Sequence, residues 1–537
     1  MTPITLNMNN NKYTPFIVFA IFLTGLLAGR YLFRSEGSDF SFSFFNGRVS
    51  KIQSVVNLVD KKYVDEVNID YISEKIIPQI LSLLDPHSTY VPANKRTESE
   101  QHLVGHFCGV GIEYAVFNDT AIVTNVVYGG PAQIAGVIPG DKLISVNDSL
   151  YAGVSSVKNL ISNNLKGEKG TSVKIGVLRS TVDSLLYFNV TRNDIPLYSV
   201  HGGYMADSAT AYVAISSFAA NTYDELMVKI DSLKLSGMKN LVIDLRSNSG
   251  GYIRTAVKIA NEFLKDGEKI VYTQNHNGIL NEYNADGKGT MQDINLVIVV
   301  DSYSASASEI LSGAFQDNDR AAVVGRRTYG KGLVQEPVEL SDGSVIRITI
   351  ARYYTPTGRC IQKPYDDYKN DMKNRAKNGE LDSADAITFA DSLKFTTPSG
   401  KTVYGGGGIM PDVFVPINPD NVSGVIYDIE SENITGRFAA AQFNRFYNDT
   451  ITCETMLDAI FAQPDLLTKF AAYAQYCGIT LTVKDFQPYS NKIENSIRAY
   501  IYSMWNRECD MYITKNVYDT DISAALNYFN SDTLQIQ

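Results

Sequence analysis

Four serines crowd the stretch Val299-Val300-Asp301-Ser302-Tyr303-Ser304-Ala305-Ser306-Ala307-Ser308-Glu309-Ile310. An apolar strand pattern ends there and a helix pattern begins amid small residues, which exposes a hydroxyl beside the free N–H groups of a helix N-terminus. Such N–H groups stabilise an oxyanion, so the segment suits a serine nucleophile. Ser302 or Ser304 acting as a plain helix cap fits the same stretch. A serine nucleophile needs a base. The five histidines (His87, His102, His106, His201 and His276) share no motif with one another, and none follows Ser306. Lys331 stands 25 positions after Ser306 in Thr328-Tyr329-Gly330-Lys331-Gly332, between glycines that let another backbone approach and water leave. With an ordinary pKa of about 10.4, roughly one lysine in 2,500 is neutral at pH 7; burial that lowers the pKa by about 3 units makes the neutral amine abundant. Gln335, four residues on and expected on the same strand face, is placed to hold that amine. The competing role for Lys331 is a surface or phosphate-binding lysine, although no GxxxxGK[ST] pattern is present. Glu309 lies one helical turn past Ser306; a first-turn acid favoured by the helix dipole and a group that tunes the site are both open readings.

The surrounding patterns define what positions these residues. Arg48 to Leu84 carries apolar residues at helical spacing and closes in the turn Asp85-Pro86-His87. From Val104 to Thr191 short strands alternate with glycine-containing turns and two helices, which predicts a small, partly open β-barrel. From Ala211 onward apolar strands (Ala211–Ile215, Asn240–Leu245, Ile270–Gln274, Asn295–Val300) alternate with helices (Thr222–Ser236, Tyr252–Lys265, Ala307–Gln316), which predicts an α/β layer around a buried sheet. Further strands are expected at Gly332–Val338, Ser344–Tyr354 and Val403–Val415, the last with a glycine-rich turn at Gly405–Gly408. A charged segment at 364–394 reads as an insertion, and 418–537 as a helical module. The expected class is therefore α/β (α+β mixed). Its order is an N-terminal membrane segment (1–37), a helical region (38–103), the small β-barrel (104–191), an α/β core (192–417) and the helical C-terminal module.

Composition narrows the function classes. At 537 residues the chain exceeds a single core, and 44% apolar with 20% charged residues is ordinary globular composition. A net charge of −10 argues against a nucleic-acid backbone as partner. Five widely spaced cysteines (Cys108, Cys360, Cys453, Cys477, Cys509) support neither a zinc site nor a disulfide framework, and no metal or organic cofactor is implied. Phe16–Gly29 is an uncharged apolar run between Lys12 and Arg30, fitting an uncleaved signal anchor or a signal-peptide core. The expectation is export, at the periplasmic face of the inner membrane if anchored and in the periplasm if cleaved.

The combination Ser304-Ala305-Ser306-Ala307-Ser308-Glu309 with Thr328-Tyr329-Gly330-Lys331-Gly332-Leu333-Val334-Gln335 resembles the C-terminal processing (tail-specific) peptidases. Leu84-Asp85-Pro86-His87-Ser88-Thr89-Tyr90, Asp244-Leu245-Arg246-Ser247-Asn248-Ser249-Gly250-Gly251, Tyr354-Thr355-Pro356-Thr357-Gly358-Arg359 and Gly408-Ile409-Met410-Pro411-Asp412 follow in the family's order. The resemblance covers roughly 40–417; the charged insertion interrupts it and the helical module lies beyond it. It implies Ser306 as nucleophile, Lys331 as general base, Gln335 as its orienter, and the N–H groups of Gly251 and Ala307 as oxyanion hole. It also implies that 104–191 is a PDZ-like domain whose loop Gly109-Val110-Gly111-Ile112 receives a substrate's terminal carboxylate while the next strand adds the peptide by β-pairing. Partners would be proteins or peptides with accessible C-termini, the membrane through the N-terminal segment, and a second copy if the terminal regions self-associate.

Two other readings compete. Asn248-Ser249-Gly250-Gly251 looks like the nucleophile loop of trypsin-like PDZ proteases, with Ser249 attacking, but those enzymes place the PDZ after a pair of β-barrels. A non-catalytic PDZ peptide-binding scaffold or chaperone needs none of Ser306, Lys331 and Gln335.

Overall fold

A computed structural model describes Thr24 and residues 51–117, 120–151, 157–278, 280–366, 368–417, 424–448, 450–479 and 482–530. The Phe16–Gly29 run thus falls outside the described residues, Thr24 apart, and no described helix is long and apolar enough to cross a membrane. The chain divides into two units, Met1–Lys75 and Ile76–Gln537. In the first, helix α1 (Lys51–Lys62) has no buried residue despite its helical apolar spacing, and α2 (Ile69–Ser82) begins.

In the second unit, the Asp85 carboxylate turns the chain after α2 by accepting the N–H groups of His87 and Ser88 and the Ser88 hydroxyl. β1 (Thr89–Val91), α3 (Arg96–Val104) and β2 (His106–Gly109) follow. Then come β3 (Ile112–Phe117), β4 (Thr120–Val126), α4 (Pro131–Ala135), β5 (Lys142–Val146), β6 (Ser149–Leu150), α5 (Val157–Leu165), β7 (Ser172–Leu178) and β8 (Leu186–Thr191). They form one antiparallel sheet in the order β3-β4-β5-β7-β8, with β6 on β5. Alternating apolar residues such as Val123, Leu143, Ile175 and Val177 point to one face, where Ile161 and Leu165 of α5 close a private core. The sheet leaves β3 at an edge, and β9 (Asn193–Pro196) returns to pair with β2.

β10 (Val200–Met205), β11 (Thr210–Ile215), α6 (Thr222–Leu235), β12 (Asn240–Asp244), α7 (Ile253–Phe263), β13 (Lys269–Gln274), β14 (Leu280–Asn284), β15 (Asn295–Val300), α8 (Ala307–Asp317) and β16 (Ala322–Gly325) build the α/β part. β17 (Leu333–Glu339), β18 (Val345–Tyr354), α9 (Asp371–Lys377), β19 (Lys394–Thr396), β20 (Thr402–Tyr404) and β21 (Val413–Phe414) complete it. The central sheet runs β10-β11-β12-β15-β16-β21 and is parallel from β11 onward. Both its faces are buried, which is why its strands are continuous apolar runs. Leu241, Ile243, Ile298 and Val300 meet α6, α7 and α8 on one side; Val242, Val297, Val299 and Val324 face the other.

The tail supplies α10 (Gly424–Ser431), α11 (Ile434–Phe446), α12 (Cys453–Phe461), α13 (Leu466–Tyr476), α14 (Val483–Phe486), α15 (Ser490–Met504), α16 (Glu508–Asn516) and α17 (Thr520–Phe529). Helices α10 to α13 and α15 gather around Phe438, Phe443, Met456, Phe470 and Ile497. The last two instead cover the second face of the central sheet, with Tyr512, Ile522 and Ala525 against Tyr212, Val297 and Val324. The stretch that the sequence groups as one helical module therefore serves two cores.

Three further expectations change. β13 joins β1, β14, β17 and β18 in a separate antiparallel sheet, not the parallel one. From Val271 to Gln274 buried residues alternate with less buried ones, which suits a one-sided sheet, and Tyr272 stacks on Tyr354 of β18 at 4.9 Å. Val403–Val415 is strand only at its ends, because Gly406 and Gly408 adopt φ of 80° and 95° and break the ladder. Lys331 and Gln335 do not share a strand face: Lys331 precedes β17, and the register shifts between Val334 and Gln335.

Candidate active site

β15 delivers the chain to a tight turn organised by Asp301, whose carboxylate accepts the N–H groups of Tyr303 and Ser304 and, across the turn, that of Ser247. Ser306 then caps α8 with φ 55° and ψ −111°, a conformation a non-glycine residue holds only under constraint from its surroundings. The constraint comes from the loop after β12. Asn248 accepts the Ala305 N–H and the Ser308 hydroxyl on its carbonyl, and its side chain ties Ile215 to Gly250. Gly250 has to be glycine: a Cβ there would lie 2.8 Å from the Ser306 Cβ and 3.0 Å from the Ala307 nitrogen. At Gly251 a Cβ would lie 2.3 Å from the Phe218 oxygen. Among the described residues neither the Gly251 nor the Ala307 N–H donates to any group, so two donors remain free beside Ser306.

Lys331 arrives on the segment between β16 and β17. Its Nζ donates to Gln335 Oε1 at 2.9 Å, and Gln335 Nε2 donates in turn to the His87 carbonyl. Burial is the largest influence on the amine and moves its pKa down from the usual lysine range; Glu309 and Asp85 oppose that shift and Arg347 adds to it. The amine is bonded to Gln335 rather than to the Ser306 hydroxyl.

What joins the serine to the lysine is Glu309. Its carboxylate is fully buried; Oε2 accepts the N–H of Ser306 at 2.8 Å and of Lys331 at 2.9 Å. Oε1 accepts the Gly330 N–H and the Thr328 hydroxyl, both at 2.6 Å. The Tyr353 hydroxyl lies 2.6 Å from the Lys331 carbonyl and 3.1 Å from that of Ser306, a second tie between the same two backbones. Neither role was evident in the sequence: Glu309 reads equally well as a first-turn acid, and Tyr353 is one of many tyrosines in a strand.

An open cleft of about 510 Å³ lies here, lined by His87, Ser247, Ser249, Tyr303, Ala305, Tyr329 and Lys331. Ser306 is half-buried, one residue beyond Ala305. His87 is no competing base: burial, and then the charge of Lys331, pushes its pKa down to about 4, and its Nε2 sits 2.5 Å from the Tyr368 hydroxyl. His201 is held elsewhere, by Glu508 of α16 and Ser216. Ser249 is exposed on the cleft wall, but the fold around it is α/β, not a pair of β-barrels. Among the described residues no cluster of side chains could hold a metal ion.

The C-terminal helix reaches this site from behind. Arg246 pairs with Asp244, Asp519 and Asp521, and Arg326 pairs with Asp521, so the N-terminus of α17 is tied to the loops that carry Gly251 and Lys331.

The family model for Peptidase family S41 matches residues 209–372, a span that contains both Ser306 and Lys331. The carboxyl-terminal-processing protease of Picosynechococcus sp. is 34% identical over 295 residues, covering 53% of this chain and 70% of that protein. This chain belongs to the C-terminal processing peptidases of family S41. A second relative, the carboxy-terminal processing protease CtpA of Bacillus subtilis, is 29% identical over 392 residues, 72% of this chain and 81% of that protein. Among solved structures, the photosystem II D1 C-terminal processing protease aligns with 68% of this chain and 92% of its own at 25% identity and a TM-score of 0.35. As an S41 peptidase the chain is a protease acting on protein substrates.

Proposed function

We propose that this peptidase cleaves by a Ser–Lys mechanism, with Ser306 as nucleophile, neutral Lys331 as general base, and Gln335 holding the lysine. The observation that carries the reading is the shared anchoring of the Ser306 and Lys331 backbones on Glu309 and Tyr353, at a cleft lined by the half-buried lysine. In the resting structure the amine rests on Gln335, and substrate brings hydroxyl and amine into line; catalytic hydrogen bonds often tighten only in the complex. Lys331 then takes the proton from the Ser306 hydroxyl as Oγ attacks the scissile carbonyl. The Gly251 and Ala307 N–H groups meet the developing oxyanion, the lysine ammonium protonates the leaving amine, and water, activated by the same lysine, releases the acyl group. A serine-reactive fluorophosphonate should label the peptide that contains Ser306, and Lys331→Ala should abolish labelling. Label on Ser249 would instead support a trypsin-like nucleophile.

The antiparallel unit at 104–191 is, in this reading, a PDZ-like domain that selects substrate C-termini. The carbonyls of Val110 and Gly111 are turned inward, to Ala132 and Val127, and the Val110 and Gly111 N–H groups donate to no described residue. They precede the edge strand β3, which can accept an added strand. Amidating a model substrate's C-terminus removes the charge these N–H groups would meet. At about 1.5–3 kcal/mol for hydrogen bonds to a charged group, kcat/KM should fall roughly ten- to a hundredfold. Equal cleavage of amide and free acid, measured below KM, would remove C-terminal selection while leaving the Ser–Lys chemistry. The Phe16–Gly29 run supports export and anchoring at the periplasmic face of the inner membrane.

A further inference from the structure

The charged segment at 364–394 interrupts the family motifs, yet it is bound to the lysine side of the cleft. Arg375 on α9 is only 2% exposed. Its guanidinium donates to three successive carbonyls, those of Arg327 (3.2 Å), Thr328 (2.9 Å) and Tyr329 (3.2 Å). Asp371, one turn earlier, sits 3.1 Å from the Arg375 Nε and 2.8 Å from the Lys363 amine. Glu380, past the end of α9, grips Arg327 through two bonds of 2.6 Å. From the same insertion, the Tyr368 hydroxyl meets His87 Nε2 at 2.5 Å.

We propose that Arg375 and Tyr368 are positioning residues for the general base, and that the insertion is a brace that aligns Lys331. The inference rests on the Ser–Lys reading above and adds to it a part supplied by this chain's own insertion. Two arms reach the lysine. The first acts on its main chain: the carbonyls of 327–329 face Arg375, while the N–H groups of Gly330 and Lys331 face Glu309, so the segment is held from both sides. A buried guanidinium needs its hydrogen bonds made, so brace and segment order one another. The second arm acts on the amine through a chain of contacts: Tyr368 to the His87 ring, the His87 carbonyl to Gln335, and Gln335 to Lys331 Nζ. Neither Arg375 nor Tyr368 bonds to the amine. The charges that act on it are Glu309, Asp85 and Arg347, with the neutral His87 ring on the cleft wall and Lys363 seated 3.8 Å over the Tyr329 ring.

The test uses the full-length chain and the rate of fluorophosphonate labelling as a function of pH, which needs no knowledge of the natural substrate. Arg375→Met should lower the maximal labelling rate at least tenfold, leave the half-saturating probe concentration within twofold, and move the rising pH limb upward as water reaches the amine. Tyr368→Phe should do the same to a lesser extent, three- to tenfold, and Arg375→Lys should recover part of the loss. Wild-type rate and limb in both Arg375→Met and Tyr368→Phe, with Lys331→Ala inert, overturns the brace alone. Wild-type labelling of Lys331→Ala overturns the Ser–Lys reading and the brace with it. Should Arg375→Met fail to fold, Tyr368→Phe, which deletes one hydroxyl, decides by itself: a wild-type rate sinks the proposal.

Discussion

Ser306→Ala and Lys331→Ala should each cut kcat by about four orders of magnitude or more, and the double variant should be no worse, because residues that act as one unit lose their effect together. Lys331→Arg should fail as completely, since a guanidinium does not deprotonate in any working range. All four should remain folded, with far-UV circular dichroism unchanged, because the main-chain groups that tie both residues to Glu309 and Tyr353 are untouched. The pH profile carries the sign of the argument. Burial lowers the pKa of Lys331 below the ordinary 10.5, and only the neutral amine accepts a proton, so kcat should rise with pH along a limb centred below that value. A limb near 6.5 that disappears in His87→Gln would transfer the role to histidine. The structure opposes that outcome: a histidine with a pKa of about 4 is neutral across that range and its Nε2 is occupied by Tyr368. Turnover of a dye-labelled unfolded protein, read from pH 5 to pH 10, checks all of this.

The sequence disclosed local geometry well where period and composition agree. The run Asn295–Val300 is a strand over those very residues, because an unbroken apolar run, β-branched from Val297 to Val300 and bounded by Asn295 and Asp301, admits a buried parallel strand and little else. Ala307 begins the next helix as the small residues and serines imply. Non-local relations were harder to read. Nothing in Ile270–Gln274 says that β13 pairs with β18, about eighty positions away, rather than with the apolar strands before it. Nothing in α17 says that its Ile522 and Ala525 belong to the sheet of Val297 and Val324, although its amphipathic pattern is plain. The site shows the same division. Ser306 announces itself by type among small residues, Lys331 by its glycine neighbours and Gln335 by its spacing from the lysine, whereas Glu309, Tyr353 and Arg375 act through backbone groups that any sequence supplies, so no residue pattern marks them. Arg375 sits in a stretch whose charge suggests a solvated surface; burial of 2% exposure follows only when three carbonyls of another segment converge on it.

Glu309→Gln separates a helix-dipole acid from the clamp seen here. An exposed first-turn acid contributes about 0.3–1 kcal/mol, so the neutral isostere would shift the melting temperature little and spare the chemistry. Glu309 is instead surrounded by donors: Ser306 and Lys331 N–H on one oxygen, Gly330 N–H and the Thr328 hydroxyl on the other. Burial, the largest influence, raises its pKa above 4.5, while these four donors pull the other way. A proton on Oε2 would face two N–H donors and one on Oε1 the Gly330 N–H, so the geometry favours the carboxylate. Glutamine supplies one acceptor oxygen and one NH2 group: turned toward Ser306 and Lys331 the NH2 opposes two N–H donors, and turned the other way it opposes the Gly330 N–H while the Thr328 hydroxyl can rotate to accept from it. Each buried donor left unpaired costs about 1–3 kcal/mol, a large part of a stability of about 5–15 kcal/mol. The donors freed in one orientation are the N–H groups of Ser306 and Lys331, and in the other they include the Gly330 N–H just before the lysine. Either way the nucleophile and base lose their common anchor. Glu309→Gln should therefore melt well below the parent and lose at least a hundredfold in fluorophosphonate labelling of whatever fraction remains folded. Glu309→Ala, with four donors unpaired and a cavity, should not accumulate as soluble protein. A Glu309→Gln variant with parental melting temperature and labelling rate would reduce Glu309 to a helix-end charge and leave Tyr353 as the tie between the two catalytic segments.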